Sequence, residues 1–203
     1  MGSSVPPKVV LASGSRPRAR MLANAGVPFT ASAASVDEAT IKTSMQATGA
    51  DAADVAELLA ATKAQQASRN HEGGLVIGAD QMLACDGEWF DKPANLLAAR
   101  NQLEKLHGRT HELISAVCVV RDGDVLWHHI DRARITMRPF SEAFIDQYIE
   151  KMGENICATV GGYELEGLGA QLFSRIEGDY FTILGMPLLP LLDFLRGHGV
   201  IPE

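Results

Sequence analysis

Ser13, Gly14, Ser15, Arg16, Pro17, Arg18 and Arg20 fall in one short run behind an apolar segment, Lys8–Ala12, that reads as a buried strand. A strand that turns directly into a helix exposes unpaired backbone N–H groups at the helix start. Hydroxyls add donors there and guanidiniums add charge-assisted bonds, so the run suits an oxyanion such as a phosphate. The competing reading is a serine-capped helix with a solvated basic face. A second group is Asp80, read as standing at the end of the apolar run Leu75–Ala79. Ligand clefts of α/β sheets form at strand tips, where an acid can take a proton or hold a cation, though a carboxylate there can equally cap the next turn. Lys63 and Lys92, each taken alone, read as solvated surface residues. Glu166, inside the glycine-rich stretch Gly161–Gly169, is open to either reading.

Other chemistries lack their residues. The chain has no GxxxxGK[ST] loop, no GxGxxG after a strand, no HExxH and no GxSxG. His111-Glu112 has no second histidine four residues on, which excludes a zinc helix. Cys85, Cys118 and Cys157 are widely spaced with no CxxC pair, and Cys118 alternates with apolar neighbours, so for Cys118 a reduced and buried thiol is expected.

The elements that must position these groups follow from periodicity. After Ser15 a helix places Met21, Leu22 and Ala25 on one face and stops at Gly26. Ser32–Asp51, which carries Asp37 and Glu38, is weakly patterned and reads as a loop with helical pieces. Asp54–Arg69 is an amphipathic helix with Val55, Leu58, Leu59 and Thr62 on one side. Asp86-Gly87 and Asp122-Gly123 are turn signals. Asn95 caps a helix with Leu96, Leu103 and Leu106 inward. Leu113–Val120 and Val125–Met137 are strands, Ser141 caps another helix, Gln171–Ile176 is a strand, and Leu188–Leu195 is an apolar helix. Helices alternate with strands and one hairpin lies mid-chain, which predicts an α/β fold with a mixed β-sheet and flanking helices.

The chain has 203 residues, 46% hydrophobic and 21% charged, an ordinary globular composition. Folding at this length removes roughly 70% of the unfolded surface from water, so the core needs no disulfide or structural metal. A net charge of −7 argues against a nucleic acid polymer as partner. A protein this acidic must concentrate its cations locally to bind a polyanion. No signal peptide, no apolar stretch of the ~20 residues a membrane helix needs, and no myristoylation signal after Met1-Gly2 (Pro6 replaces the required hydroxyl residue) are evident, so a cytoplasmic protein without membrane contact is expected.

Taken together, the segments resemble the Maf family of nucleoside triphosphate pyrophosphatases over nearly the whole chain. The matching pieces, in order, are LASGSRPRARML (Leu11–Leu22), VDE (Val36–Glu38), TKA around Lys63, VIGADQ (Val76–Gln81), DKP (Asp91–Pro93), LHGRTHELIS (Leu106–Ser115), GGYELEGLGA (Gly161–Ala170) and RIEGDYFTILGMPL (Arg175–Leu188). The resemblance implies one domain over residues 1–203, elongated and akin to the inosine triphosphatases, with two lobes around a central cleft. It implies a hydrolase of acid anhydrides that cleaves a nucleoside triphosphate to the monophosphate and pyrophosphate with Mg²⁺ or Mn²⁺, and a homodimer. Asp80 takes the place of the proton acceptor. Ser13, Arg18, Lys63 and Lys92 take the phosphate positions, Glu38 and Asp80 the metal positions, and Gln81 and Glu166 those of base recognition or metal. The family's link to septum formation leaves a non-catalytic regulator of division as the alternative.

Three departures from the family pattern stand out. The loop usually reads SxSPRR, whereas here arginine and proline have exchanged places in Ser15-Arg16-Pro17-Arg18. Proline lacks an N–H, so the donor set differs, and Arg16 and Arg18 both remain candidates for the main phosphate contact. Many members carry Thr and Gln where this chain has Gln81 and Glu166, and those members resemble the branch that prefers dTTP and UTP. The pair seen here looks like the branch acting on 7-methyl-GTP, whose cationic guanine suits a carboxylate. Ala79, in contrast, is the residue of the pyrimidine branch.

Overall fold

The structure, a computed structural model, describes residues 6–202; Met1-Gly2 lies outside them. The strands are β1 (Val9–Leu11), β2 (Thr30–Ala31), β3 (Leu75–Cys85), β4 (Glu88–Phe90), β5 (Thr110–Arg121), β6 (Asp124–Met137) and β7 (Phe173–Glu177). The helices are α1 (Arg16–Asn24), α2 (Glu38–Ala47), α3 (Ala52–Ser68), α4 (Leu96–Leu106), α5 (Glu142–Met152), α6 (Tyr180–Ile183) and α7 (Leu188–Gly197). The sheet runs β2-β1-β3-β5-β6-β7, with β4 on β3. It is mixed: β1 is parallel to β2 and to β3, while β3/β4 and β6/β7 are antiparallel. The α/β class and mixed sheet expected from the sequence are those observed.

The chain divides into two compact units, one of Met1–Gln81, Ser115–Asp131 and Tyr180–Glu203, the other of Met82–Ile114 and Arg132–Asp179. In the first, Val9, Leu11, Leu22, Leu75, Ile77, Val117, Val119, Leu191 and Leu195 form one apolar core beneath α1 and α7. α3 starts in a capping box, the Asp51 side chain accepting from Ala53 and Asp54 N–H while the Asp54 carboxylate accepts from Asp51 N–H. In the second, Asn95 and Ser141 cap α4 and α5 through Ala98 and Phe144 N–H, as their types predict. Asp86 and Gly87 take positive φ of 50° and 83° in the two-residue turn between β3 and β4.

Four local expectations need correction. Asp80 is not at a strand tip: β3 continues through Cys85, and Asp80 and Gln81 lie inside it. Ser32–Asp51 contains a ten-residue helix, α2, with no buried residue, which explains why no apolar stripe marks it. On α3 the buried face is Val55, Ala56, Leu59, Ala60, Lys63, Ala64 and Ala67, whereas Leu58 is exposed. Leu96 is likewise exposed at the start of α4.

Candidate active site

The site is built in the first unit from β1, β3 and the helices beside them. The anchor is Gly78. A Cβ there would fall 2.1 Å from Ala60 O and 2.8 Å from Ala64 N, so only glycine lets the backbone of α3 press onto β3. Lys63 directly precedes Ala64 on the helix, and two positions beyond Gly78 on the strand is Asp80. Close helix–strand approach therefore delivers an ammonium to a carboxylate. Lys63 Nζ donates to Asp80 Oδ1 at 2.6 Å and pairs with Glu38 Oε1 at 2.7 Å. Lys63 and Asp80 are buried, while Glu38, in the first turn of α2, is partly exposed. Asp37 fixes that turn by accepting from Thr40 N–H at 3.1 Å. The second oxygen of Asp80, Oδ2, is buried without a hydrogen-bond partner.

The loop after β1 supplies the other half. Arg18 is buried, whereas Arg16 and Arg20 are exposed. Arg18 Nη1 donates to Ser13 Oγ at 3.2 Å and to Ala79 O at 2.9 Å, and Nε donates to Gly185 O at 2.8 Å. Among the described residues Nη2 has no hydrogen-bond partner. Burial pulls the guanidinium below its ordinary pKa, and the charges of Asp80 and Glu38 oppose that pull; an arginine stays cationic at neutral pH all the same. Ser13 Oγ also accepts from Ser15 N–H at 3.2 Å, which leaves its own proton to donate. Pro17 occupies the first turn of α1 and Ser15 makes no side-chain cap, so Arg16 and Arg18 carry the N–H groups with no intrahelical acceptor.

Gln81 lies beside Arg18's seat: a Cβ on Gly185 would stand 3.6 Å from its Oε1 and 3.5 Å from Arg18 Nε. Its amide nitrogen donates to Ser115 Oγ (3.0 Å), Thr182 O (3.1 Å) and Ile183 O (3.1 Å). The amide oxygen is what remains for a ligand. The structure thus brings Ser13, Arg18, Glu38, Lys63, Asp80 and Gln81 together in one unit. Lys92 and Glu166 belong to the second unit, where both are exposed. Sequence reasoning missed Gly78, Ser115, Thr182 and Gly185. A glycine interrupting the apolar run LVIGA was a signal of close backbone approach, and Ser115 was a hydroxyl inside a strand otherwise apolar; Thr182 and Gly185 left no such mark.

A family model described as "Maf-like protein" matches residues 8–198. The chain belongs to the Maf family. Curated relatives of this Maf protein span nearly all of it. A "nucleoside triphosphate pyrophosphatase" of Paramagnetospirillum magneticum is 57% identical over 94% of this chain and 98% of its own. One of the same name from Rhodospirillum rubrum is 54% identical over 99% of each. A "7-methyl-GTP pyrophosphatase" of Rhizobium meliloti is 47% identical over 96% and 98%. A crystal structure of a nucleoside-triphosphatase / dITP/XTP pyrophosphatase from Mycobacterium abscessus covers 95% of each chain at 16% identity and a TM-score of 0.46, too distant to carry an argument. Among the described residues of this Maf chain, no helix is long and apolar enough to cross a membrane. No three or more His, Cys, Asp or Glu residues among them group as a metal site.

Proposed function

We propose that this Maf protein is a nucleoside triphosphate pyrophosphatase, and that it prefers a 7-methyl-GTP-type substrate over dTTP or UTP. The class rests on family membership and on relatives of that name at 54% and 57% identity, with a 7-methyl-GTP pyrophosphatase at 47%, across nearly the full chain. The observation that carries the mechanism is Asp80: one carboxylate oxygen is held by Lys63, and the other is buried and unpartnered. Oδ2 takes the proton of the attacking water. Water then bonds to the α-phosphorus, the bond from that phosphorus to the bridging oxygen breaks, and pyrophosphate leaves with the electron pair. Arg18 Nη2, the Ser13 hydroxyl and the free N–H groups at the start of α1 bind phosphate oxygens, and Lys63 supplies positive charge beside them.

The residues present fit a divalent cation. Glu38 and Asp80 already converge on one cationic atom, the Lys63 ammonium, and both offer hard oxygen donors. Two carboxylates with substrate phosphates completing the shell is the habit of magnesium sites and suits manganese equally. Such an ion, bound by Glu38 and Asp80, would offset the charge that develops on the bridging oxygen. The preference for a methylated guanine rests on Gln81 and Glu166. With its nitrogen committed, Gln81 offers an acceptor, and Glu166 is a carboxylate; acceptors suit the N1–H, amino group and positive charge of that base. We place the protein in the cytoplasm as a homodimer.

The test is product analysis across normal and modified triphosphates with magnesium and manganese. Monophosphate plus pyrophosphate is expected, fastest with 7-methyl-GTP, and Asp80→Asn should lower kcat by about a hundredfold or more. Diphosphate plus orthophosphate would overturn the reaction class. Full turnover by Asp80→Asn would remove the base, and equal rates on every nucleotide would remove the preference.

A further inference from the structure

Nothing in that scheme uses the carboxy-terminal stretch Arg175–Leu188, yet its turn touches Arg18 directly. We infer that Ser115, Thr182 and Asp131 are positioning residues that hold the Gly185 carbonyl, and through it the Arg18 guanidinium, in the pose that leaves Nη2 for a phosphate oxygen. An arginine side chain has many rotamers, and a binding pose needs each of its other donors tied down. Two of Arg18's three bonds go to backbone carbonyls. Ala79 O belongs to the interior of β3 and is fixed by the sheet. Gly185 O belongs to a turn at φ +101°, outside any strand. A substituted residue would be strained at that φ, and its Cβ would stand 3.5 Å from Arg18 Nε and Nη2.

What holds the turn is a hydrogen-bond network centred on the Thr182 carbonyl. Thr182 O accepts from Ser115 Oγ at 2.8 Å, from Gln81 Nε2 at 3.1 Å and from Gly185 N–H at 3.0 Å. Ile183 O accepts from the same Gln81 nitrogen. Thr182 Oγ1 donates to Asp131 Oδ2 at 2.7 Å, which ties the turn to β6. Ser115 and Thr182 are fully buried. Buried hydroxyls cost stability unless they are bonded, and alanine or valine would fill the same space. Their presence fits a demand for direction rather than for bulk. The carboxy-terminal motif becomes the seat of the phosphate-binding arginine, and β5 and β6 become its supports.

The inference rests on reading Arg18 as a phosphate clamp, so the experiment separates the two. Thr182→Val, Thr182→Ser and Ser115→Ala are each made in the wild-type and Arg18→Ala backgrounds. Turnover is assayed, and pyrophosphate affinity is measured by calorimetry. Thr182→Val should lower kcat/KM and pyrophosphate affinity by about tenfold, since small misplacements of a clamp are costly. Thr182→Ser, which keeps the hydroxyl, should stay within about twofold, and Thr182→Val should cost nothing further once Arg18 is gone. If Thr182→Val melts far below wild type, Ser115→Ala carries the same comparison. Independent, multiplicative effects of Thr182 and Arg18 would overturn the assignment, as would unchanged turnover and affinity in folded Thr182→Val and Ser115→Ala. Absence of pyrophosphate release by the wild type would instead overturn the reaction, and the affinity coupling would still decide the role of the turn.

Discussion

Lys63 Nζ lies 2.6 Å from Asp80 Oδ1, with the two side chains only 11% and 7% exposed. An ion pair this dry is maintained by geometry more than by its net contribution to stability. The desolvation of both groups consumes most of the attraction, and its loss on one side strands a charge on the other. Gly78 fixes the approach of α3 that makes the pair, so backbone packing and the candidate site meet at one glycine.

Lys63→Met should therefore destabilise the fold by about 3 kcal/mol, because Asp80 stays buried without its ammonium. Adding Asp80→Asn should recover most of that loss, since an amide carries no charge to strand, yet the double variant should have no turnover. Urea unfolding of the two variants checks this. A double variant as unstable as Lys63→Met would mean that the lysine stem, not its charge, supports the core.

Gly78→Ala should cost about 3 kcal/mol or more, beyond the usual range for an added methyl, because the clash is with backbone atoms of Ala60 and Ala64 that cannot rotate away. Equilibrium unfolding measures it. A loss under about 1 kcal/mol would show that α3 can slide outward, and activity should then fall instead as Lys63 leaves Asp80.

Much of this frame was legible in the sequence, for physical reasons that also explain the gaps. β1 announced itself as a continuous apolar run, buried from Val9 through Ala12, and α1 by Met21 and Leu22 on its buried face. β3 was cut short because Asp80 and Gln81 look like the end of an apolar run; they sit inside the strand because Lys63 pairs one oxygen of Asp80, and Ser115 with the 182–183 carbonyls takes the Gln81 amide nitrogen. On α3 Val55 and Leu59 were read on the packing face and are buried there, but Leu58, read with them, points to solvent. The face that packs is mostly alanine, as small as it must be to meet Gly78. α2 buries nothing and so left no periodic trace. Ser13, Arg18, Lys63 and Asp80 were individually weak in sequence, and only folding makes them neighbours.

Lys92→Ala should lower kcat/KM by about tenfold or more, with the melting temperature unchanged within a few degrees. The side chain is exposed between β4 and α4 and adds little to any core. Its expected partner is the triphosphate, so Lys92→Arg should recover part of the rate. A collapse in melting temperature with normal turnover per folded molecule would assign Lys92 to structure.

The pH dependence of stability should carry the mark of His111 in the second unit. The imidazole is 1% exposed, shares a 2.6 Å hydrogen bond with Tyr163 Oη, and is pushed down by burial from 6.5 to about 4. Above pH 6.5 the folded and unfolded chains both hold it neutral, and it contributes no slope. Between pH 6.5 and about 4 the unfolded chain takes up a proton that the folded chain refuses. Stability from this group therefore falls with falling pH, by about 1.4 kcal/mol per unit and roughly 3 kcal/mol across the window. His111→Gln keeps a polar partner for Tyr163 and removes the titration. Urea unfolding at pH 7.5, 5.5 and 4.5 should show the wild type losing that much more than the variant, the carboxylate contributions common to both cancelling in the difference. Parallel slopes would mean that His111 takes up its proton as readily in the folded chain as in the unfolded one, with the second ring nitrogen, Nδ1, finding an acceptor that the buried geometry does not provide.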